Sequence, residues 1–167
     1  MKRLIALLCL GAVPVFALAQ PAACACSGDR VPVTCSGNQP DGCKVKVEVK
    51  VVDGRCEVTL PYCLLCVRRK DNSGGTDSPP TVTWELTTMP AGAAAAFRSN
   101  PGIDIIGVPA LKPDFVAPRI SLDKQRFSWT ATKENSTAAR DHTAQIFPVP
   151  PGPLCTSPGA KIVNTDQ

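Results

Sequence analysis

The sequence predicts an all-β protein that combines a β-sandwich body with a small disulfide-stapled β-hairpin region on its N-terminal side. Several short segments alternate apolar and polar residues with a period of two, which is the pattern of half-buried strands. Seventeen prolines and 12 glycines among 167 residues leave little room for long helices. Nine cysteines indicate that covalent bonds supplement the hydrophobic core.

The first 19 residues predict a cleaved secretory signal peptide. Lys2 and Arg3 form a positive start, residues 4–16 are almost entirely apolar, and residues 17–19 read Ala-Leu-Ala. This order is typical of an export signal with a signal peptidase site. The apolar run is shorter than the ~20 residues that a bilayer span needs. We therefore expect a secreted or periplasmic protein with no transmembrane segment after cleavage.

Cleavage would remove Cys9 and leave eight cysteines, all of them disulfide candidates: Cys24, Cys26, Cys35, Cys43, Cys56, Cys63, Cys66 and Cys155. An even number of cysteines in an exported chain predicts a disulfide framework, although the sequence does not reveal its connectivity. Seven of the eight lie between residues 24 and 66. Because seven is an odd number, complete pairing requires Cys155 to bond to a cysteine of that segment.

Four of these cysteines also support an alternative hypothesis. Cys24 and Cys26 form a CxC motif, and Cys63 and Cys66 form a CxxC motif. These spacings suit a zinc or copper(I) site made of thiolates, and CxxC also occurs in thiol-redox proteins. The oxidising compartment that the signal peptide implies favours structural disulfides over both. We therefore expect no cofactor, and keep an exported metal-binding or thiol-redox protein as the alternative.

Composition divides the rest of the chain into four segments. A cysteine-rich β-hairpin region spans residues 20–70, and a polar stretch rich in Gly and Pro over 71–80 predicts a linker or long loop. Residues 81–147 form the predicted sandwich body, and residues 148–167 form a Pro-rich tail around Cys155.

The clearest local signal in the cysteine-rich region is a β-hairpin. Valines alternate with charged residues from Lys44 to Val51, and Asp53-Gly54 is the favoured pair for a two-residue type I′ turn. Apolar alternation resumes after the turn, so the turn and the pattern agree on one register. The predicted partners are Val52 with Arg55, Val51 with Cys56, Lys50 with Glu57, and Val49 with Val58.

Three lysines lie on the charged side of this hairpin: Lys44, Lys46 and Lys50. We expect them to provide solubility and to protect a sheet edge. Binding of an acidic ligand is the alternative role.

The body contains several short alternating segments with turn signals between them, which predicts a β-sandwich of immunoglobulin-like style. Trp84 and Trp129 are the expected core anchors across its two sheets. The alanine-rich stretch from Ala91 to Arg98 could form one or two helical turns, although Pro90 and Gly92 weaken it.

Few residues point to catalysis. The only histidine, His142, follows Asp141, but the chain has no GxSxG motif for a nucleophilic serine and no further histidine for a metal site. We expect His142 to be structural or solvent-facing, and we assign no catalytic residue. The sequon Asn135-Ser136-Thr137 predicts a surface loop between two strands.

The sequence therefore predicts an exported, non-enzymatic, disulfide-stabilised binding or structural module of the cell envelope or extracellular space. Its partner would be an unknown protein or envelope component. Without the signal peptide the chain has 16 basic and 14 acidic residues, so we expect no nucleic-acid partner.

Overall fold

The computed structural model describes residues 31–36, 42–53, 55–68, 80–89, 94–132, 135–149 and 152–165. The predicted signal peptide, Cys24, Cys26 and residues 71–79 of the predicted linker lie outside these ranges. Within them, the secondary structure consists of strands and no helix occurs, which confirms the all-β class.

In chain order, the strands are β1 Val31–Ser36, β2 Cys43–Val52, β3 Arg55–Thr59, β4 Tyr62–Arg68, β5 Thr81–Met89, β6 Ala94–Phe97, β7 Ile103–Ile105, β8 Phe115–Ile120, β9 Arg126–Ala131, β10 Arg140–Val149, β11 Cys155–Thr156 and β12 Ala160–Thr165. They form a five-stranded sheet in the order β3-β2-β5-β9-β8 and a seven-stranded sheet in the order β1-β4-β12-β10-β11. In the larger sheet, β6 and β7 also pair with β10.

Both sheets mix parallel and antiparallel pairs. In the five-stranded sheet β2 runs parallel to β5, and the other pairs are antiparallel. In the seven-stranded sheet β4 lies between β1 and β12 and is parallel to both. Strand β10 is antiparallel to all four of its neighbours. Parallel neighbours need long connections, so these pairings join segments that are far apart in sequence.

The predicted hairpin is β2–β3, and its predicted register is confirmed. Val52 pairs with Arg55, Val51 with Cys56, Lys50 with Glu57, and Val49 with Val58. Asp53 has a φ of 50° at the turn, the left-handed conformation that a type I′ turn requires. Along β2, Cys43 and three valines are buried while the intervening lysines and Glu48 are exposed, as the alternation predicts.

The core lies between the inward faces of the two sheets. Its largest fully buried side chains include Trp84 of the five-stranded sheet together with Tyr62, Phe97, Leu65 and Ile146 of the seven-stranded sheet. Side chains at alternate strand positions interdigitate there, as in a β-sandwich. The strand order confirms two packed β-sheets. It does not confirm the predicted immunoglobulin-like topology.

The prediction that the two tryptophans anchor opposite sheets is wrong. Trp84 is fully buried on β5, but Trp129 is only half-buried and lies on the adjacent strand β9 of the same sheet. The antiparallel β5–β9 pair places both on one side of the core. Trp129 reaches the other sheet through its indole Nε1, which donates to the carbonyl oxygen of Ile103 at 3.0 Å.

The helical turns suggested for residues 91–98 do not form in residues 94–98, the part of this stretch that the structure describes. Ala94–Phe97 is strand β6, which pairs with β10 through Ala96 opposite Phe147. Ala95 and Phe97 are buried on alternate positions. Tertiary pairing has overridden the helix propensity of alanine.

Strands from the predicted cysteine-rich region and from the body occur in both sheets, and the strands of the tail lie in the seven-stranded sheet. Strand β2 pairs with β5 from Cys43 to Lys50, and β4 pairs with β12 from Leu64 to Arg68. Strand β12 lies between β4 and β10, inside the seven-stranded sheet. The predicted Pro-rich tail therefore supplies an interior strand, which the sequence analysis did not identify.

Candidate functional site

Two disulfides join one sheet to the other. Cys35 on β1 bonds to Cys43 on β2, with a Cα–Cα distance of 5.2 Å, and both residues are buried. Cys56 on β3 bonds to Cys155 on β11, with a Cα–Cα distance of 5.9 Å. In each pair one cysteine belongs to the five-stranded sheet and the other to the seven-stranded sheet, so the sandwich is closed covalently.

Cys63 and Cys66 on β4 are disulfide-bonded as well. A zinc or copper(I) site needs thiolates, and these two sulfurs are not thiolates in this state. Among the residues that the structure describes, no group of three or more His, Cys, Asp or Glu side chains is arranged to hold a metal ion. Cys24 and Cys26, the other half of the alternative site, lie outside those residues.

His142 lies in the core in a chain of hydrogen bonds that crosses between the sheets. Trp84 Nε1 donates to the Tyr62 hydroxyl at 2.7 Å, and that hydroxyl lies 2.9 Å from His142 Nε2. Since the Tyr62 oxygen accepts from Trp84, its own hydrogen is free to donate to His142. The Tyr62 and His142 rings are also stacked, with centroids 5.7 Å apart.

Burial sets the protonation of this cluster. It lowers the pKa of His142 to about 4, against smaller opposing effects of the Ala160 backbone and the Asp141 charge. Burial also raises the pKa of Tyr62 well above its usual range, while the hydrogen bond from Trp84 lowers it in part. At neutral pH the cluster is therefore uncharged, which suits a site without access to solvent.

The neighbour of His142 in sequence points the other way. Asp141 is exposed and its Oδ1 accepts from Lys161 Nζ at 2.8 Å, because successive strand residues face opposite sides. The arrangement places Asp141 and His142 on opposite faces of β10, where they cannot work as a catalytic pair. The structure thus places His142 in a structural role.

A second polar cluster fastens two loops to the end of the sandwich. The buried Asp114 carboxylate accepts from Arg140 Nε at 2.6 Å and from the Ser136 hydroxyl at 2.5 Å. The Asn164 side-chain amide donates to the backbone oxygens of Asp114 and Thr132 at 3.0 and 3.1 Å. These contacts hold the segment that contains the sequon on the surface, where Asn135 is exposed.

The outward face of the five-stranded sheet is polar and charged. Strand register aligns one side chain from each of four strands in a single row: Lys44 of β2, Thr83 of β5, Ser128 of β9 and Arg119 of β8. A second row beside it contains Lys46, Glu85 and Arg126. We call these seven residues the cationic face. It carries four cations and one carboxylate.

At the hairpin end of the same outward surface, near the β2–β3 turn, positive and negative side chains of the strands are equal in number. Lys50 lies opposite Glu57, and Arg55 and Glu48 occupy the neighbouring outward positions of β3 and β2. Met89 and Val52 are exposed there, with relative residue accessibilities of 63% and 52%. Positive charge is therefore concentrated on the cationic face rather than spread along β2.

Sequence reasoning found the lysines of β2 but not the cationic face. Thr83, Arg119, Arg126 and Ser128 follow Lys50 by at least 33 positions and lie on other strands, so that only the β2-β5-β9-β8 order aligns them. No short-range spacing in the sequence signals this alignment.

Comparisons with known proteins give this chain no relatives by sequence. No protein-family model matches it, and no curated protein matches it either. Over the residues that the structure describes, there is no helix with the length and apolar character needed to cross a membrane.

Proposed function

We propose that the protein is an exported, non-enzymatic binding or structural module of the cell envelope or extracellular space, held in shape by disulfides. The observation that carries this proposal is the pair of cross-sheet bonds, Cys35–Cys43 and Cys56–Cys155. Such bonds persist in oxidising compartments and are rare in the cytosol. The apolar residues 4–16 and the Ala-Leu-Ala that follows them support export, because this order is typical of a cleaved signal peptide.

The environment of His142 supports a role other than acid–base catalysis. The side chain has no accessible surface, and its Nε2 is engaged by the Tyr62 hydroxyl. A general base must reach the proton that it removes from a substrate, which this placement does not allow. A rigid, cross-linked sandwich is instead suited to presenting a preformed surface, because little conformational freedom is then lost on binding.

The mass of the exported protein tests this proposal. The full-length chain is expressed with its own N-terminal segment in a bacterium, and the protein is recovered from the periplasm or medium. We expect a chain that begins at Gln20, with no cysteine alkylated before reduction and eight alkylated after it. Retention in the cytosol with residues 1–19 attached would contradict the proposal. Four alkylated thiols before reduction, together with bound zinc or copper, would instead favour the metal-binding or thiol-redox alternative.

A further inference from the structure

We propose that the cationic face binds an acidic polysaccharide, a glycan chain that bears carboxylate or sulfate groups. This inference rests on the proposed function as an exported binding module and names the chemistry of its partner. The observation behind it is the row of Lys44, Thr83, Ser128 and Arg119 across four strands, which contains no apolar and no acidic side chain.

The row has the dimensions of a short stretch of polymer. Neighbouring strands are about 4.8 Å apart, so the backbone positions of Lys44 and Arg119 are separated by about 14 Å across three strand spacings. The hydroxyls of Thr83 and Ser128 lie between the two cations. Cations at both ends can pair with acidic groups, and hydroxyls in the middle can hydrogen-bond to sugar hydroxyls.

In the described part of the chain, no salt bridge joins the cations of this face to a carboxylate, although Asp123 is close enough to Arg126 for their charges to interact. The side chains of Lys44, Lys46, Arg119 and Arg126 are exposed. Lys161 and Arg140 elsewhere on the molecule are paired with Asp141 and Asp114. The positive field of the cationic face is therefore available to a ligand.

A role in solubility would explain the lysines of β2. It does not explain why positive charge is concentrated at one end of the outward surface of this sheet. A solubilising coat would mix both signs, as the hairpin end does with Lys50 opposite Glu57. The cationic face instead adds Arg119 and Arg126 from two further strands and has Glu85 as its one carboxylate. Beneath it, Val82, Trp84 and Phe127 are buried, which gives the face a firmly packed support.

The shape of the face favours a polysaccharide over a nucleic acid. Single-stranded nucleic acids are held mainly by stacking on aromatic side chains, and the outward rows described above contain none. Duplexes are read by an element that enters a groove, whereas this face is the surface of a sheet. The formal charge of the whole chain, +4, is also modest for a nucleic-acid-binding protein.

The test compares two double variants that each remove two positive charges from the same sheet. Lys44→Gln/Arg119→Gln lies within the cationic face, and Lys50→Gln/Arg55→Gln lies at the hairpin end. Lys44 and Lys50 are six residues apart on one strand, or about 20 Å, which exceeds the Debye length of ~10 Å at 0.1 M salt. Binding to alginate, dextran sulfate, neutral dextran and double-stranded DNA is measured on the mature oxidised protein, with thermal unfolding as the check on folding.

We expect the unsubstituted protein to bind alginate or dextran sulfate at about 0.1 M salt and to be released at about 1 M, where screening is nearly complete. Lys44→Gln/Arg119→Gln should weaken this binding about tenfold, and the control variant less than about twofold. Equal losses in the two variants, absence of binding to both acidic polysaccharides, or equally tight binding to DNA would overturn the inference. None of those results would alter the mass of the exported protein, so they leave the proposed function standing.

Discussion

His142 shows how a single residue that looks catalytic in sequence can be structural in the fold. Its Nε2 faces the Tyr62 hydroxyl at 2.9 Å, and Trp84 completes the chain from the opposite sheet. Buried hydrogen bonds between side chains of the two sheets help to fix the packing around them. The cluster thus links the two sheets without any covalent bond.

The first prediction at this scale concerns pH. Burial lowers the folded-state pKa of His142 from 6.5 to about 4. Between these two pH values, His142 is therefore protonated in the unfolded chain and neutral in the folded protein. The stability that neutral His142 provides is complete above pH 6.5 and is lost as the pH falls toward 4. The loss is on the order of 3 kcal/mol. Denaturant unfolding at several pH values should show it.

The control for this prediction is His142→Gln, which keeps a hydrogen-bonding side chain but does not titrate. Its free energy of unfolding should change less between pH 6.5 and 4 than that of the unsubstituted protein. If the two curves have the same slope, carboxylates rather than His142 govern the acid sensitivity.

A second prediction tests the hydroxyl at the centre of the cluster. Tyr62→Phe removes the acceptor of the Trp84 indole and the partner of His142, and leaves two buried polar groups unsatisfied. We expect a loss of about 3 kcal/mol in the free energy of unfolding, since each such group costs about 1–3 kcal/mol. Thr81→Val is the matched control, because it removes an exposed cross-strand hydroxyl contact with Thr130 and should cost less than about 0.5 kcal/mol. Similar losses in both variants would argue against the cluster as a link between sheets.

At the scale of single elements, the hairpin and the tail differ in how well the sequence predicts them. The β2–β3 hairpin depends on residues that are neighbours in sequence, so alternation and Asp53-Gly54 are enough to give its register. Strand β12 pairs with β4, nearly 100 positions earlier. Its own pattern, in which Ala160, Ile162 and Asn164 are buried, is short and follows several prolines, so sequence analysis favoured an irregular tail.

The interior position of β12 leads to a prediction about alternate residues. Ile162→Asn places an amide in the core and should cost about 3 kcal/mol or more. Lys161→Asn introduces the same side chain on the solvent side, where Lys161 forms an exposed pair with Asp141, and should cost no more than about 1 kcal/mol. Chemical denaturation of the two variants measures the difference. Equal costs would mean that β12 is not packed between β4 and β10.

The candidate site is also an element-scale property that a linear reading misses. The lysines of β2 are visible in the sequence, but their meaning changes once β5, β9 and β8 are placed beside them. Thr83, Ser128 and Arg119 look unremarkable in their own segments. Strand order in a mixed sheet depends on long-range pairing, and alternation reports only which face a residue occupies.

For the whole molecule, the two cross-sheet disulfides should differ in what they contribute to stability. The Cys56–Cys155 bond closes a loop with a sequence separation of 99, and Cys35–Cys43 one of 8. In the chain-entropy account the longer loop is worth about 5 kcal/mol and the shorter about 2.5 kcal/mol. Replacing Cys56 and Cys155 together by Ser should therefore lower the free energy of unfolding more than replacing Cys35 and Cys43. The reverse order would show that local packing, rather than loop closure, dominates.

The central claim about the whole molecule is that two β-sheets are joined covalently at Cys35–Cys43 and at Cys56–Cys155. Mass-spectrometric peptide mapping of the non-reduced protein, digested at low pH to prevent thiol exchange, tests it most directly. We predict one linked peptide pair that contains Cys56 and Cys155, and a bond between Cys35 and Cys43. A free Cys155, or Cys155 linked to a cysteine other than Cys56, would contradict the account.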